Sequence, residues 1–571
     1  MPNSLVDILR ERAIHQPYRL AYRFLRDGEF DEQGITYQTL DERARSIAAL
    51  LQDTTQEGDR VLLLLPASLD FIIAFLGCLY AKVLPIPLTP PHALRLEKSL
   101  EATLRIAADA EPTAALLHSS LFSALQAKPE LVQELGQVKL LPIDDNLILP
   151  NADQWSPTEQ HLTELAFLQY TSGSTHSPKG VMVTHGNLLH NLGFIENTFG
   201  LSKKTKSVFW LPPYHDMGLI GGILQALFSG YPLTFLPHLL FIQRPIRWLQ
   251  AMTRFRATTS AGPNFAYDLC VRKIKPEQRA ELDLSHWKVA INGAEPIYHQ
   301  SLERFAQYFA PCGFRREAFA PSYGLAEATL MVSGGPMLRV PTIKQVEKSA
   351  LSNGAIVNGL EAAKNTQWVV GCGQKALDQD IKIVDPDTMI TCIPKQVGEV
   401  WVRGGSVATG YWNNQEETEA VFGAYLADTQ EGPYLRTGDL GFMEDGELYI
   451  TGRRKNLIIV EGRNHYPHDI ERSVEDAHPV IRPEGSAAFS VEREGSEGVV
   501  ILAEIAPKEK DKAGEVKRLI RSAIATNHAL KVSDIRLLLP GGIPRTTSGK
   551  KRRFQCKQLY LANTIKEIPA S

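Results

Sequence analysis

ITYQTLDERARSIAALLQDTTQEGDRVLLLL, residues 35–65, joins two hydrophobic periods. In its first half Leu40, Ala44, Ile47, Ala48 and Leu51 fall on one face of a helix. In its second half VLLLL is an unbroken apolar run behind Gly58 and Asp59, the pattern of a strand buried on both faces. DFIIAFLGCLYA, residues 70–81, then reads as a core helix. Farther along, WKVAINGAEP (287–296) reads as a strand ending in a turn, and HQSLERFAQYF (299–309) as the next helix. Such alternation predicts the α/β class, with layered, mostly parallel mixed sheets flanked by helices.

A chain of 571 residues exceeds what one hydrophobic core serves, so two or more domains are expected. After about Gly452 the elements become shorter and more charged. EGVVILAEIAP (497–507) reads as a strand and GEVKRLIRSAIATNHAL (514–530) as a helix. The predicted organisation is a large N-terminal domain, 1–454, and a small C-terminal α+β domain, 455–571. With 61 basic against 64 acidic residues the net charge is −3, which gives no reason to expect a nucleic-acid or membrane-surface partner. The six cysteines are scattered and form no CxxC pair, so no zinc or thiol-redox motif is present and a cytoplasmic, reducing location is expected. MPNSLVDILRERAIHQP lacks the pattern of a signal peptide. The apolar stretch Val61–Leu88 is broken by Pro66, Asp70 and Lys82, so no integral membrane segment is expected.

Four segments carry candidate chemistry. YTSGSTHSPKG (170–180) follows the apolar run LAFLQ and describes a strand leading into a flexible loop. Its glycines let the backbone approach an anion, its hydroxyl and N–H groups donate to phosphate oxygens, and Lys179 adds positive charge. The spacing is not that of a Walker A loop, and taken alone a surface linker reads the same way. SYGLAE (322–327) sets an aromatic ring and a carboxylate close together in a loop, where Tyr323 can stack on adenine and Glu327 can hold Mg²⁺ beside phosphates. YLRTGDLG (434–441) presents Asp439 in a tight turn suited to ribose hydroxyls, and PRTTSGK (544–550) puts Lys550 behind a flexible glycine. Singly, each has a plain alternative: a core tyrosine, a turn-capping aspartate, a lysine of a solvated basic tail.

Together and in this order the segments resemble the adenylate-forming superfamily of acyl-CoA synthetases, luciferases and peptide-synthetase adenylation domains, over about Ile35 to Arg553. LPPYHDMGLIGGIL (211–224), SAGPNFAYDLC (260–270), PSYGLAEATL (321–330) and GRNHYPHDIE (462–471) are similar to the fatty acyl-AMP ligase branch. So is the long interval from Glu327 to Gly371, which resembles a family insertion, roughly 335–368, that hinders the rotation needed to make a thioester with CoA. An ordinary long loop is the alternative there, as a long-chain acyl-CoA synthetase is for the whole chain.

The resemblance implies the use of ATP and Mg²⁺ to activate a medium- or long-chain fatty acid as acyl-AMP, with release of pyrophosphate. It implies that Thr171, Ser172, Gly173, Ser174, Thr175 and Lys179 contact the β- and γ-phosphates, with Thr171 and Glu327 on the metal. Asn292, Gly293, Ala294, Glu295 and Pro296 would lie along adenosine. Ser322, Tyr323 and Gly324 would form the base-stacking segment, and Asp439 and Arg453 would hold the ribose. His215 and Asp216 would close the space between acyl pocket and nucleotide. Lys550 would bridge the carboxylate and the α-phosphate, forming the catalytic set with Glu327 and His215, while Lys455 would sit at the hinge of a small mobile C-terminal domain. Two residues depart from the family pattern: Asn456 where an acidic residue is expected, and Lys82 where glycine is usual.

LIGGILQALF (219–228) and PNFAYDL (263–269) fit either an acyl tunnel lining or buried helices. No GGxS-type carrier segment follows the ligase, so a separate acyl carrier protein is the expected acceptor. The basic run Lys550, Lys551, Arg552, Arg553 and Lys557 reads either as its docking face or as a solvated surface.

Overall fold

The helix expected in residues 35–65 forms over Tyr37–Gln52 and buries Leu40, Ala44, Ile47, Ala48 and Leu51. Thr36 caps it, its hydroxyl accepting from the Thr39 N–H at 3.3 Å. A computed structural model of the chain describes residues 2–144, 150–171, 178–360, 365–460, 463–493, 496–546 and 549–568. The strand Arg60–Leu64 and the helix Leu69–Tyr80 follow as their patterns predict. The two helices cross so closely that a Cβ at Gly77 would lie 2.5 Å from Ile47 Cγ2. Lys82 adopts φ +55°, a region that favours glycine, and its ammonium pairs with Glu164 at 2.9 Å. The departure at Lys82 is therefore a strained backbone position held by an ion pair.

Among the described residues the largest sheet has nine strands. Leu20–Leu25, Leu233–Phe235, Ser207–Phe209, Thr259–Gly262, Val289–Asn292 and Phe319–Gly324 run parallel, and antiparallel strands flank both margins. Arg60–Leu64 belongs to a second, all-parallel sheet with Leu84–Pro87, Ala114–Leu117 and Lys139–Pro142. A third, antiparallel sheet contains Asp380–Val384, Gly398–Arg403, Leu435–Glu444 and Glu447–Arg453. Parallel strands collect ligand-facing residues at their carboxyl ends, and Asn292 and Ser322–Gly324 stand at two such ends.

Two hydrophobic clusters, one running from Ile458 to Ile568 and the other from Ala487 to Tyr560, draw on the C-terminal part of the chain alone. They lie under Ile481–Arg493, Ser496–Ile505 and Val532–Leu538 and the helices Pro467–Ala477, Ala513–His528 and Arg553–Leu561. The interval 335–368 is not a plain loop. Ile343–Glu347 and Thr366–Val370 pair antiparallel, with the helix Lys348–Ser352 between them. Val346, Leu351, Ile356 and Val369 share one cluster with Phe442, Tyr449 and Tyr466, and Leu457 packs against it.

Two local expectations are corrected. Asp439 lies within the strand Leu435–Glu444 rather than in a tight turn, because Gly438 at φ +68° kinks a strand that then continues. Ser322–Gly324 ends a strand rather than forming a loop, and Glu327 follows in the one-turn 3-10 helix Ala326–Ala328. Among the described residues no helix is long and apolar enough to cross a membrane.

Candidate active site

Adjacent parallel strands bring the NGAEP and SYG segments side by side, with Asn292 registered against Pro321. A Cβ at Gly293 would lie 2.9 Å from the Ser322 carbonyl oxygen, and one at Gly324 only 1.9 Å from that of Leu330. Both positions thus require glycine for backbone to meet backbone. Ala294 turns the chain at φ +68°. Asn292 is fully buried, and among the described residues neither polar atom of its amide has a partner. Such an orphan costs about 1–3 kcal/mol. A donor and an acceptor side by side suit the edge of a nucleobase, so the segment fits ATP.

Beside it, the Tyr323 hydroxyl donates to Asp439 Oδ2 at 2.7 Å, and Arg453 Nε donates to Oδ1 at 2.6 Å. Asp439 and Arg453 are paired across adjacent strands, which is why residues 14 apart meet. Burial, then the Asp439 charge, pushes the Tyr323 phenol well above its ordinary value, so it acts as a donor. Asp439 in turn raises the Arg453 guanidinium.

Thr171 ends the strand Leu165–Thr171 and pairs with Lys179 on the returning strand Lys179–Thr184. Ser172, Gly173, Ser174 and Thr175 lie outside the described residues. The Lys179 ammonium forms an ion pair with Glu417 and sits 5.0 Å from the centre of the Tyr411 ring. The Tyr411 hydroxyl donates to Glu327 Oε1 at 2.8 Å. Glu327 Oε2 accepts no hydrogen bond among the described residues, an arrangement that fits a Mg²⁺ bound by one carboxylate and phosphate oxygens. Burial lowers Lys455, and the Arg453 charge lowers it further. Asp439, Lys179 and Glu327 also act on it, so the two clusters are neighbours.

His215 caps the short helix Asp216–Gly218, with Nδ1 2.7 Å from Asp216 Oδ1. Burial alone would raise Asp216. The charges of His215 and then Lys550 outweigh it and hold the carboxyl at about 2. Glu295 moves the other way: burial and the nearby charge of Glu484 raise it, against opposing effects of the Phe265 N–H, which donates to it at 2.6 Å, and of Lys550. Lys550 therefore lies within electrostatic reach of both the LPPYHDMG and NGAEP segments. It sits on a turn closed by Thr546, with Gly549 at φ +87°. LIGGILQALF forms a π-helical turn, Leu219–Leu224, and the helix Gln225–Ser229, largely buried.

The basic run after Lys550 is not one exposed face. Arg553 donates to both oxygens of Glu471 at 2.6 and 2.7 Å, and Lys551 reaches the same carboxylate at 3.0 Å and Glu475 at 3.4 Å. Lys551 is only 10% exposed and Glu471 only 3%. Alternate residues point inward because the chain from Lys550 runs along the C-terminal core into the helix Arg553–Leu561. Tyr411, Glu417 and Glu471 are contacts that the sequence reading missed. GYWNNQEETE (410–419) held one signal: Asn414 caps the helix Gln415–Phe422, accepting from the Glu417 N–H at 3.1 Å.

Residues 9–412 match the AMP-binding enzyme family, and residues 455–570 match the AMP domain of Disco-interacting protein 2-like proteins. The medium-chain-fatty-acid–[acyl-carrier-protein] ligase JamA of Moorena producens is 43% identical, over 100% of this chain and 97% of that protein. A 4-hydroxyphenylalkanoate adenylyltransferase of Mycobacterium marinum is 38% identical, over 98% of this chain and 91% of its own length. The crystal structure of a fatty acyl-adenylate ligase from L. pneumophila, in complex with acyl adenylate and pyrophosphate, is 40% identical. It aligns with a TM-score of 0.77 over 98% of this chain and 96% of that one. The chain belongs to the AMP-binding enzymes, among the fatty acyl-AMP ligases.

Proposed function

We propose that the protein activates a medium- or long-chain fatty acid with ATP, forming acyl-AMP and releasing pyrophosphate. It then passes the acyl group to the phosphopantetheine thiol of a separate acyl carrier protein, the acceptor class in the name of its relative JamA. The observation that carries the reading is the buried Asn292 amide, without a partner among the described residues, on the strand next to Tyr323, whose hydroxyl is bound to the Asp439–Arg453 pair.

The reaction joins two anions, so charge neutralisation and alignment are what the protein must supply. A carboxylate oxygen attacks the α-phosphorus, and the bond to the pyrophosphate oxygen breaks. Lys550 neutralises the carboxylate and the α-phosphate as they approach. Mg²⁺ would supply the remaining positive charge on the phosphates, held by Glu327 and Thr171. Ser172, Gly173, Ser174, Thr175 and Lys179 hold the β- and γ-phosphates. Asn292, Gly293, Ala294 and the Ser322–Tyr323–Gly324 segment take the base, and Asp439 and Arg453 the ribose. His215, oriented by Asp216, faces the acyl carboxylate, and LIGGILQALF lines the acyl site.

The division into domains falls at Arg454–Lys455, which the separate cores of the C-terminal residues support. A cytoplasmic location is supported by six free cysteines. A carrier thiol rather than CoA is favoured by the insertion, whose helix Lys348–Ser352 packs on the strand Arg463–His465 beyond the division. The test uses purified protein, ATP, Mg²⁺ and a labelled fatty acid of about twelve carbons, with and without CoA. Acyl-AMP that persists in the presence of CoA is expected, and conversion to acyl-CoA overturns the acceptor assignment.

A further inference from the structure

The segment 409–412 is bound to the strand that carries Lys179. The Met182 N–H donates to the Gly410 carbonyl at 2.9 Å, the Trp412 N–H to that of Gly180 at 2.7 Å, and the Thr409 N–H to that of Met182 at 3.1 Å. Gly410, at φ +141°, lets the chain pass so close to Thr418 that a Cβ would lie 2.4 Å from its methyl group. The Tyr411 N–H donates to the Thr418 hydroxyl at 2.9 Å, and the ring meets Phe422 edge-on at 5.2 Å. Tyr411 is 5% exposed, so its ring has one orientation.

That orientation sends its hydroxyl to Glu327 Oε1, at 2.8 Å, and one face to the Lys179 ammonium, 5.0 Å from the ring centre. A phenol suits both neighbours: its hydroxyl donates to an anion, while the negative face of its ring attracts a cation. Glu327 Oε2 accepts no hydrogen bond among the described residues, and Lys179 takes its counter-charge from Glu417.

We propose that Tyr411 is a positioning residue that holds Glu327 and Lys179 apart and aimed, the first through its hydroxyl and the second through its ring. This rests on the assignment of Glu327 to the metal and of Lys179 to the phosphates.

The test is calorimetric titration of the full chain with ATP at graded Mg²⁺ and without metal. Tyr411→Phe keeps the ring and removes the donor. The Mg²⁺ needed for half-maximal binding is expected to rise about tenfold, the usual loss when a ligand's supporting hydrogen bond is removed. Metal-free ATP binding and the melting temperature stay as in the wild type. Tyr411→Leu also removes the seat of Lys179 and weakens metal-free binding about threefold. In a Glu327→Gln background, Tyr411→Phe adds nothing further. A wild-type Mg²⁺ response in Tyr411→Phe, beside a weakened one in Glu327→Gln, overturns the proposal alone. A wild-type response in Glu327→Gln removes the metal assignment, and the proposal with it.

Discussion

Lys550 acts at the scale of one residue. It is exposed on its turn, with Gly549 at φ +87° before it, and Asp216 and Glu295 feel its charge. A group whose contribution grows as charge develops on the transferring phosphoryl lowers the barrier more than it tightens the ground state. Lys550→Ala is therefore expected to slow acyl-AMP formation by about 10²–10³-fold while ATP affinity stays within about threefold. Pyrophosphate exchange and calorimetry read the two quantities, and a wild-type exchange rate in the variant would refute the role. Lys550 and Asp439 were legible because each stands in a short segment of small and polar residues. Glu417 was not. It meets Lys179 across 238 positions, and a polar contact between distant strands and helices leaves no local periodicity to read.

At the scale of elements, the helix Pro467–Ala477 seats the chain that carries Lys550. Its Glu471 receives Arg553, Lys551 and the Ala488 N–H, so one buried carboxylate fixes the segment just past Lys550 to the C-terminal core. Burial by itself would raise this carboxyl, but Arg553 and Lys551 outweigh it and hold Glu471 at about 2, against 4.5 ordinarily. A depressed acid stabilises the fold above its unfolded pKa and loses that stabilisation as pH falls through the folded value. The C-terminal part is accordingly expected to lose roughly 3 kcal/mol as pH falls from about 4.5 to about 2. Glu471→Gln flattens that loss and lowers stability at pH 7. Urea melts across this range check it, and parallel curves for the two proteins would count against the role of Glu471. This element was half legible. The helical period of 514–530 and the strand of 497–507 could be read directly, whereas the inward turn of Lys551 and Arg553 could not. Charge alone does not tell a docking face from a buried ion network.

At the scale of the whole molecule, the insertion is proposed to decide which acceptor is served. Leu351 and Val346, from the insertion, lie in one apolar cluster with Tyr466, and Leu457 packs against it, so a rotation about the 454–456 turn would have to open that cluster. The sequence made the extra length visible but not its partner, because an amphipathic hairpin shows which of its faces is buried and not what covers it. Removing a buried leucine costs about 2–5 kcal/mol, enough to change a rotation equilibrium by orders of magnitude. Part of that cost falls on the docked arrangement, through Tyr466 and Leu457, while the segments proposed to contact ATP lie outside the cluster. Leu351→Asp is thus expected to leave acyl-AMP formation without CoA within about threefold of wild type, and to raise acyl-CoA formation at least about tenfold. Leu351→Met, which preserves volume and polarity, changes neither rate. Chromatographic separation of acyl-AMP and acyl-CoA reads both. If Leu351→Asp adenylates normally and still forms no acyl-CoA, the block lies in how the site excludes the pantetheine thiol of CoA and not in the cluster that joins the insertion to Tyr466.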